Sequence, residues 1–310
     1  MKHSLLYFYR CCIVMACCLT FSEYAQAQTD ADALMIPKNY VCAAGVYTHS
    51  QWDHYWEGTF KRDAPNLGTV SSNSYMLGFV YGLTNKINVS IALPYVTTNA
   101  TAGTLRGERN FQDINAYVKW LAVKQEIGKG SLSFHAILSG SIPATNYEAD
   151  FLPLSIGLHS KNIALRGLLN YQVSRFFVAG AYQYVRRSNI TIDRNSYYTT
   201  EMHYTNEVKM PDVSNFLVSA GFRSLQFNAE AVLTKVTTLG GFDIRKNDMP
   251  FPSNKMNSTL AGVIFKYSFQ KIAGLELTAG GNYVLKGRNV GQARTMYGGV
   301  YYVFNTRKEK

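Results

Sequence analysis

The chain has 310 residues, only 16 % of them charged, a formal net charge of +11, and an aromatic content that includes 22 Tyr and 17 Phe. Beyond the N-terminus no apolar run approaches the ~18 residues that a membrane-spanning helix needs, so passage through a bilayer would have to be made by strands. Four of the five cysteines lie within the first 18 residues; with those removed, Cys42 stands alone and a disulfide-stapled fold is excluded.

Residues 1–27 read as a secretory signal. Lys2 and Arg10 give a basic start, residues 11–21 are apolar, and Ala25-Gln26-Ala27 is a small-x-small site with cleavage after Ala27. A lipoprotein signal ending at Cys17 fits less well, because Val14 and Cys18 depart from its pattern. Removing residues 1–27 takes away Lys2, Arg10 and Glu23 and leaves +10. In an exported protein that surplus suits anionic lipopolysaccharide or anionic solutes; no nucleic-acid motif is present.

After a short polar lead at 29–38, a first strand is expected at 40–50. Residues 51–67 form an aromatic and charged loop. Tyr75, Leu77, Phe79 and Tyr81, then Ile87, Val89, Ile91, Leu93 and Tyr95, alternate with small or polar residues around a turn at 83–86. Period 2 with one apolar face is a strand signature, and the short polar turn closes a hairpin. The same pattern recurs at 111–124, 131–141, 158–173, 176–191, 213–223, 226–238, about 261–269, 275–286 and 293–304. Connections after the even strands are short and most after the odd strands are long. An even number of strands with that asymmetry predicts an all-β fold: one transmembrane antiparallel barrel of about twelve strands, up-and-down, over 28–304, with a periplasmic tail at 305–310.

In such a barrel the apolar parity faces lipid and the polar parity faces the lumen. That assigns Asp113, Lys119, His135, Arg166, Glu230, Lys266, Glu276 and Lys286 to the lumen, where charges of both signs can pair across strands. Trp52, Tyr55, Trp56 and Phe60 have two readings: a capture site for an aromatic or apolar solute at the outer mouth, or an interfacial girdle and self-packed loop. Arg106, Arg109, Arg186, Arg187, Arg194 and Arg245 fall in or near outer loops. Asp53 and His54 alone are too few for a metal site, and no cofactor is expected. His49-Ser50 and His159-Ser160 put neighbours on opposite strand faces, and His135 has no carboxylate on its own strand, so no enzyme is expected.

The stretch 78–147 resembles a family of outer-membrane proteins described as phenol-degradation meta-pathway transporters, distantly akin to FadL-type channels for hydrophobic compounds. The resemblance rests on Tyr81-Gly82-Leu83-Thr84-Asn85-Lys86, Leu93-Pro94-Tyr95, the Gly-containing loop 101–107, Gln112-Asp113 and Ile142-Pro143. It implies a bacterial outer-membrane location and passive uptake of small, hydrophobic or aromatic solutes. The lead at 29–38 is too short to match the N-terminal plug of FadL-type channels. Tyr302 and Phe304 fit the terminal aromatic signal read by the barrel-assembly machinery, although residues 305–310 follow them. The expected partners are therefore outer-membrane lipid and lipopolysaccharide, the assembly machinery and a small solute. The competing reading is a structural or adhesive barrel that transports nothing.

Overall fold

A computed structural model describes residues 29, 31–246 and 248–307; the expected signal segment 1–27 lies outside them. Twelve long antiparallel strands form one closed barrel: β1 (Tyr40–Trp52), β2 (Val70–Thr84), β3 (Ile87–Ala100), β4 (Asp113–Ile127), β5 (Gly130–Pro143), β6 (Asn162–Val173), β7 (Phe176–Arg187), β8 (Asp212–Arg223), β9 (Phe227–Leu239), β10 (Asn257–Ser268), β11 (Leu275–Arg288) and β12 (Arg294–Asn305). Each strand pairs with its neighbours in sequence, and β12 pairs with β1 from Tyr40 opposite Asn305 to Gln51 opposite Arg294. Closure leaves no edge, which a sheet surrounded by hydrocarbon requires because its backbone groups find no water there.

The alternation read from the sequence sets the two faces. Leu77, Ile91, Val118, Leu138 and Leu165 point outward and are exposed, Leu77 at 67 % and Leu165 at 62 %. An apolar belt of this kind suits lipid and not water. Aromatic rings flank it at both ends. Tyr47 and Tyr75 meet at 5.1 Å toward the long-loop end; Phe176 and Phe222 at 5.6 Å, with Tyr302 and Phe304 at 5.8 Å, lie toward the short-turn end. The inward row carries the polar groups, with Asn88, Lys119, His135, Asn170, Lys266 and Glu276 all buried.

Sequence parity misplaces one charge. Leu260 pairs with Val284 and Thr259 with Lys286, so Leu285 bulges out of register. A bulge reverses the side-chain alternation beyond it. Val284 therefore stays buried, while Lys286 is exposed beside Thr259 instead of facing the lumen.

The lead at 29–38 runs into the barrel. Ala33 packs against an inner apolar patch of Ile137, Leu168, Phe177, Ala179 and Ala181, and Ile36 against Cys42, Val80, Tyr301 and Val303. Asn88 treats the lead as a neighbouring strand: its Oδ1 accepts from Ile36 N at 3.0 Å and its Nδ2 donates to Ile36 O at 2.8 Å. Gly82 makes the crossing possible, because a Cβ there would sit 1.9 Å from Pro37 O. Short as it is, this segment occupies the lumen.

The outward belt predicts that Val218→Arg, at the middle of β8, costs about 2–4 kcal/mol of barrel stability. Reversible unfolding from lipid vesicles measures it.

Candidate functional site

The lumen is divided by the lead. Above it, on the long-loop side, is a cavity of about 490 Å³ whose lining includes Ser90, Asn115, Ser141, Asn162, Arg166 and Gln183, with Thr29 at its floor. Gln183 Oε1 accepts from Arg166 at 2.9 Å and from Asn215 at 3.0 Å. Asn162 donates to Ser141 at 2.9 Å. Asp113 sits at the rim, where its carboxylate accepts from the Tyr147 hydroxyl at 2.6 Å. Below the lead is a second cavity of about 530 Å³, lined by Ser133, His135, Asn170, Gln172 and Arg223 with Ala33, Leu34 and Met35 of the lead itself. Both ring nitrogens of His135 and Oδ1 of Asn170 lack a partner among the described residues. Buried polar groups of this kind mark a wet chamber, because dry burial would cost them their hydrogen bonds.

The partition is held by Asp32. Its carboxylate lies 3.2 Å from Lys119 Nζ on β4 and 3.1 Å from Lys266 Nζ on β10. Those strands are half a circuit apart in a ring of twelve, so the two ammonium groups reach in from opposite walls and the carboxylate lies between them. Lys119 also donates to Thr29 O at 3.0 Å. The remaining carboxylate lone pairs take Thr29 N at 2.8 Å, the Thr29 hydroxyl at 2.9 Å and Leu34 N at 3.0 Å. All three charged side chains are almost completely withdrawn from solvent. Glu276 accepts from Ser268 at 2.8 Å, and Arg223 stacks over Phe177 with 4.2 Å to the ring centre. Glu230 is buried on the inner wall. Lys119 and Lys266 were legible as luminal. Asp32 was not, because a single acid in a short polar lead carries no periodicity.

The Trp52–Phe60 region is a packed clasp. Tyr55 and Trp56 are buried. The Tyr55 hydroxyl donates to Asn289 O at 2.6 Å, Trp56 N donates to Val290 O at 2.9 Å, and the Trp52 ring covers Gly291. These rings tie the 53–69 loop to the 289–293 turn and offer no open binding face; only Phe60 projects, at the tip of the hairpin formed by His54–Glu57 and Phe60–Asp63. His54 is engaged on both ring nitrogens, by Asp53 at 2.7 Å and Asp63 at 3.1 Å. The open aromatic cavity at the mouth lies elsewhere, among the 144–161, 188–211 and 240–256 loops. It measures about 630 Å³ and is lined in part by Tyr197, Tyr198, Phe242, Phe251, Arg194 and Arg245. Arg245 lies over Tyr198 at 4.0 Å and Arg194 over Phe251 at 5.5 Å.

Asn289 joins these loops. It is fully buried at positive φ (52°), a conformation that Asn tolerates better than most residues. Its Oδ1 accepts from Gly58 N at 2.7 Å and Ile244 N at 3.2 Å; its Nδ2 donates to Asp243 at 2.8 Å and Lys255 O at 3.0 Å. Hydrogen bonds from Arg288, assisted by Asn289, hold the Asp243 carboxyl down at about 2.

No family model matches the chain, and no curated protein matches it in sequence. Among solved structures it is similar to the COG4313 outer membrane channel from Pseudomonas putida F1, with a TM-score of 0.69 and 16 % identity over 90 % of this chain and 100 % of that one. The NanC porin (TM-score 0.47, 10 % identity, 84 % of this chain and 98 % of that one) and the KdgM porin in complex with disordered oligogalacturonate (0.44, 8 %, 84 % and 98 %) align more loosely. At these identities the likeness carries the architecture alone: the chain has the fold of a twelve-stranded outer-membrane channel.

Asn289→Ala removes four hydrogen bonds from the loop clasp and is expected to destabilise it by about 2–4 kcal/mol, read as faster proteolysis of the 240–256 loop with the barrel intact. A carboxyl depressed in the folded state stabilises above its ordinary pKa and loses that effect as pH falls through the folded value. Protection of the loop should therefore hold at pH 5 and fall between about pH 4 and 2.

Proposed function

We propose that this chain is an outer-membrane channel through which small solutes, hydrophobic or aromatic ones among them, move passively. The observation that carries the reading is the nature of the block in the lumen. A barrel that serves only as a structural element can be filled by wall side chains. Here two chambers are separated by a terminal segment that belongs to no strand, and such a stop can move without disturbing the wall.

The other features fit. The outward apolar belt with aromatic rings at both ends suits insertion in a bilayer. The aromatic, arginine-bearing cavity at the mouth suits first capture of a ring-containing solute. The upper chamber, at about 490 Å³, is at the small end of ligand cavities. Export follows from a signal cleaved after Ala27. Tyr302 and Phe304 project outward on β12, where the assembly machinery can read them. Arginines of the outer loops suit lipopolysaccharide phosphates.

Purified barrel in planar bilayers tests the reading. The intact mature chain should conduct weakly, and a variant lacking residues 28–35 should conduct several-fold more. Absence of conductance from both would favour the structural-barrel reading. A neutral aromatic probe such as benzyl alcohol should equilibrate across proteoliposomes faster with the truncated barrel than with the intact one.

A further inference from the structure

Among the described residues, Asp32 is the one member of the central charge cluster that is not built on the wall. Lys119 and Lys266 come from rigid strands on opposite sides of the barrel, and Arg223 adds a third positive charge that acts on the same carboxylate. Glu230 and Glu276 supply negative charge around Lys266. With Asp32 in place these six groups balance. Without it the wall carries an excess of one positive charge, concentrated at two buried ammonium groups. Removing the carboxylate that bridges two buried cations is strongly disfavoured, so withdrawal of the lead is favourable when another anion takes its place between them.

We infer that Lys119 and Lys266 form a carboxylate-binding site across the middle of the lumen, that Asp32 occupies it in the closed state, and that the carboxylate of a small solute exchanges with Asp32 as the lead withdraws. The site is shaped for one carboxylate. Two ammonium groups face one another at about 3 Å from the two oxygens of a single acid, Oδ1 to Lys119 and Oδ2 to Lys266. The ligand chemistry is present in the molecule as its own side chain. The approach is from above: the 490 Å³ chamber has Thr29 at its floor, and Thr29 both bonds Asp32 and accepts from Lys119. Arg166 in that chamber gives an incoming anion an earlier cationic group on the inner wall. The exit is open below, where His135, Asn170 and Arg223 line the second chamber.

Exchange of one carboxylate for another keeps the charge of the lumen constant throughout, which neutral solutes cannot do. This deepens the channel reading by assigning its solute class and rests on that reading for its role in transport; binding itself does not depend on it.

The test uses the full mature chain refolded in detergent. Asp32→Ala vacates the site while leaving every strand residue unchanged. Its melting midpoint should lie below that of the wild type. Sodium benzoate, at ionic strength matched with chloride, should raise that midpoint by an amount that grows with the logarithm of concentration, and benzyl alcohol should not. The wild type should need more benzoate for the same rise, because a tethered carboxylate competes at an effective concentration of about millimolar. Asp32→Ala/Lys119→Gln and Asp32→Ala/Lys266→Gln, each checked for folding by heat-modifiable gel mobility, should lose most of the benzoate response. The inference is overturned if benzoate leaves Asp32→Ala unmoved, if benzyl alcohol acts equally, or if both folded double variants respond like Asp32→Ala. In bilayers, Asp32→Ala should shift the reversal potential toward anion selectivity. A barrel that binds benzoate but never conducts would sink the channel reading and leave the site standing.

Discussion

Everything in this molecule depends on closure of the sheet. In hydrocarbon an unpaired backbone amide or carbonyl has nothing to bond to, so the strands must form a ring with β12 returned to β1. Closure then gives each residue one of two environments, and parity alone selects between them. The apolar row turns outward as a consequence of the surroundings, and the polar row is left to make what use it can of a narrow interior. A ring of twelve also fixes which strands oppose one another, and β4 and β10 do.

That geometry brings Lys119 and Lys266 to a shared anion. Two lysines on adjacent strands would repel along one wall, where water could separate them. Facing each other across a narrow lumen with a carboxylate between, they define a point near mid-lumen. The cost of desolvating them is offset only by close, well-oriented contacts, and Asp32 supplies these while its remaining lone pairs are bonded to Thr29 and Leu34. Gly82, Asn88 and the two inner apolar patches receive the backbone and small side chains of the lead. The stop is thus made of the same elements as a strand–strand contact, with one ion-pair centre added.

The barrel was legible in the sequence because most strands repeat the same binary pattern and every even connection is a turn; the first strand, with mixed parities, does not show it. Luminal Lys119, His135, Arg166, Glu230, Lys266 and Glu276 followed from parity alone. Lys286 did not, because a bulge at Leu285 is a one-residue event that leaves no mark on composition. Trp52, Tyr55 and Trp56 admitted both a capture patch and a self-packed loop, because aromatic density is visible in a sequence and packing is not; the 289–293 turn that packs against them lies more than two hundred residues away. The lead was the largest omission. Its length argued against a plug, but a lumen already narrowed by side chains needs only a few residues to stop it.

The separation along the chain between Asp32 and its partners has one more consequence. Asp32 and Lys266 stand 234 residues apart, on the first segment of the described chain and the tenth strand of the ring. The lead precedes every strand, yet the place where it rests does not exist until β4 and β10 have been carried to opposite sides of a finished circle. An open sheet curled through part of a turn holds the two lysines at the wrong separation and offers the aspartate one partner at most. The ion-pair centre is therefore a product of the closed ring: Asp32 reaches both lysines where β4 and β10 stand on opposite sides of the completed barrel.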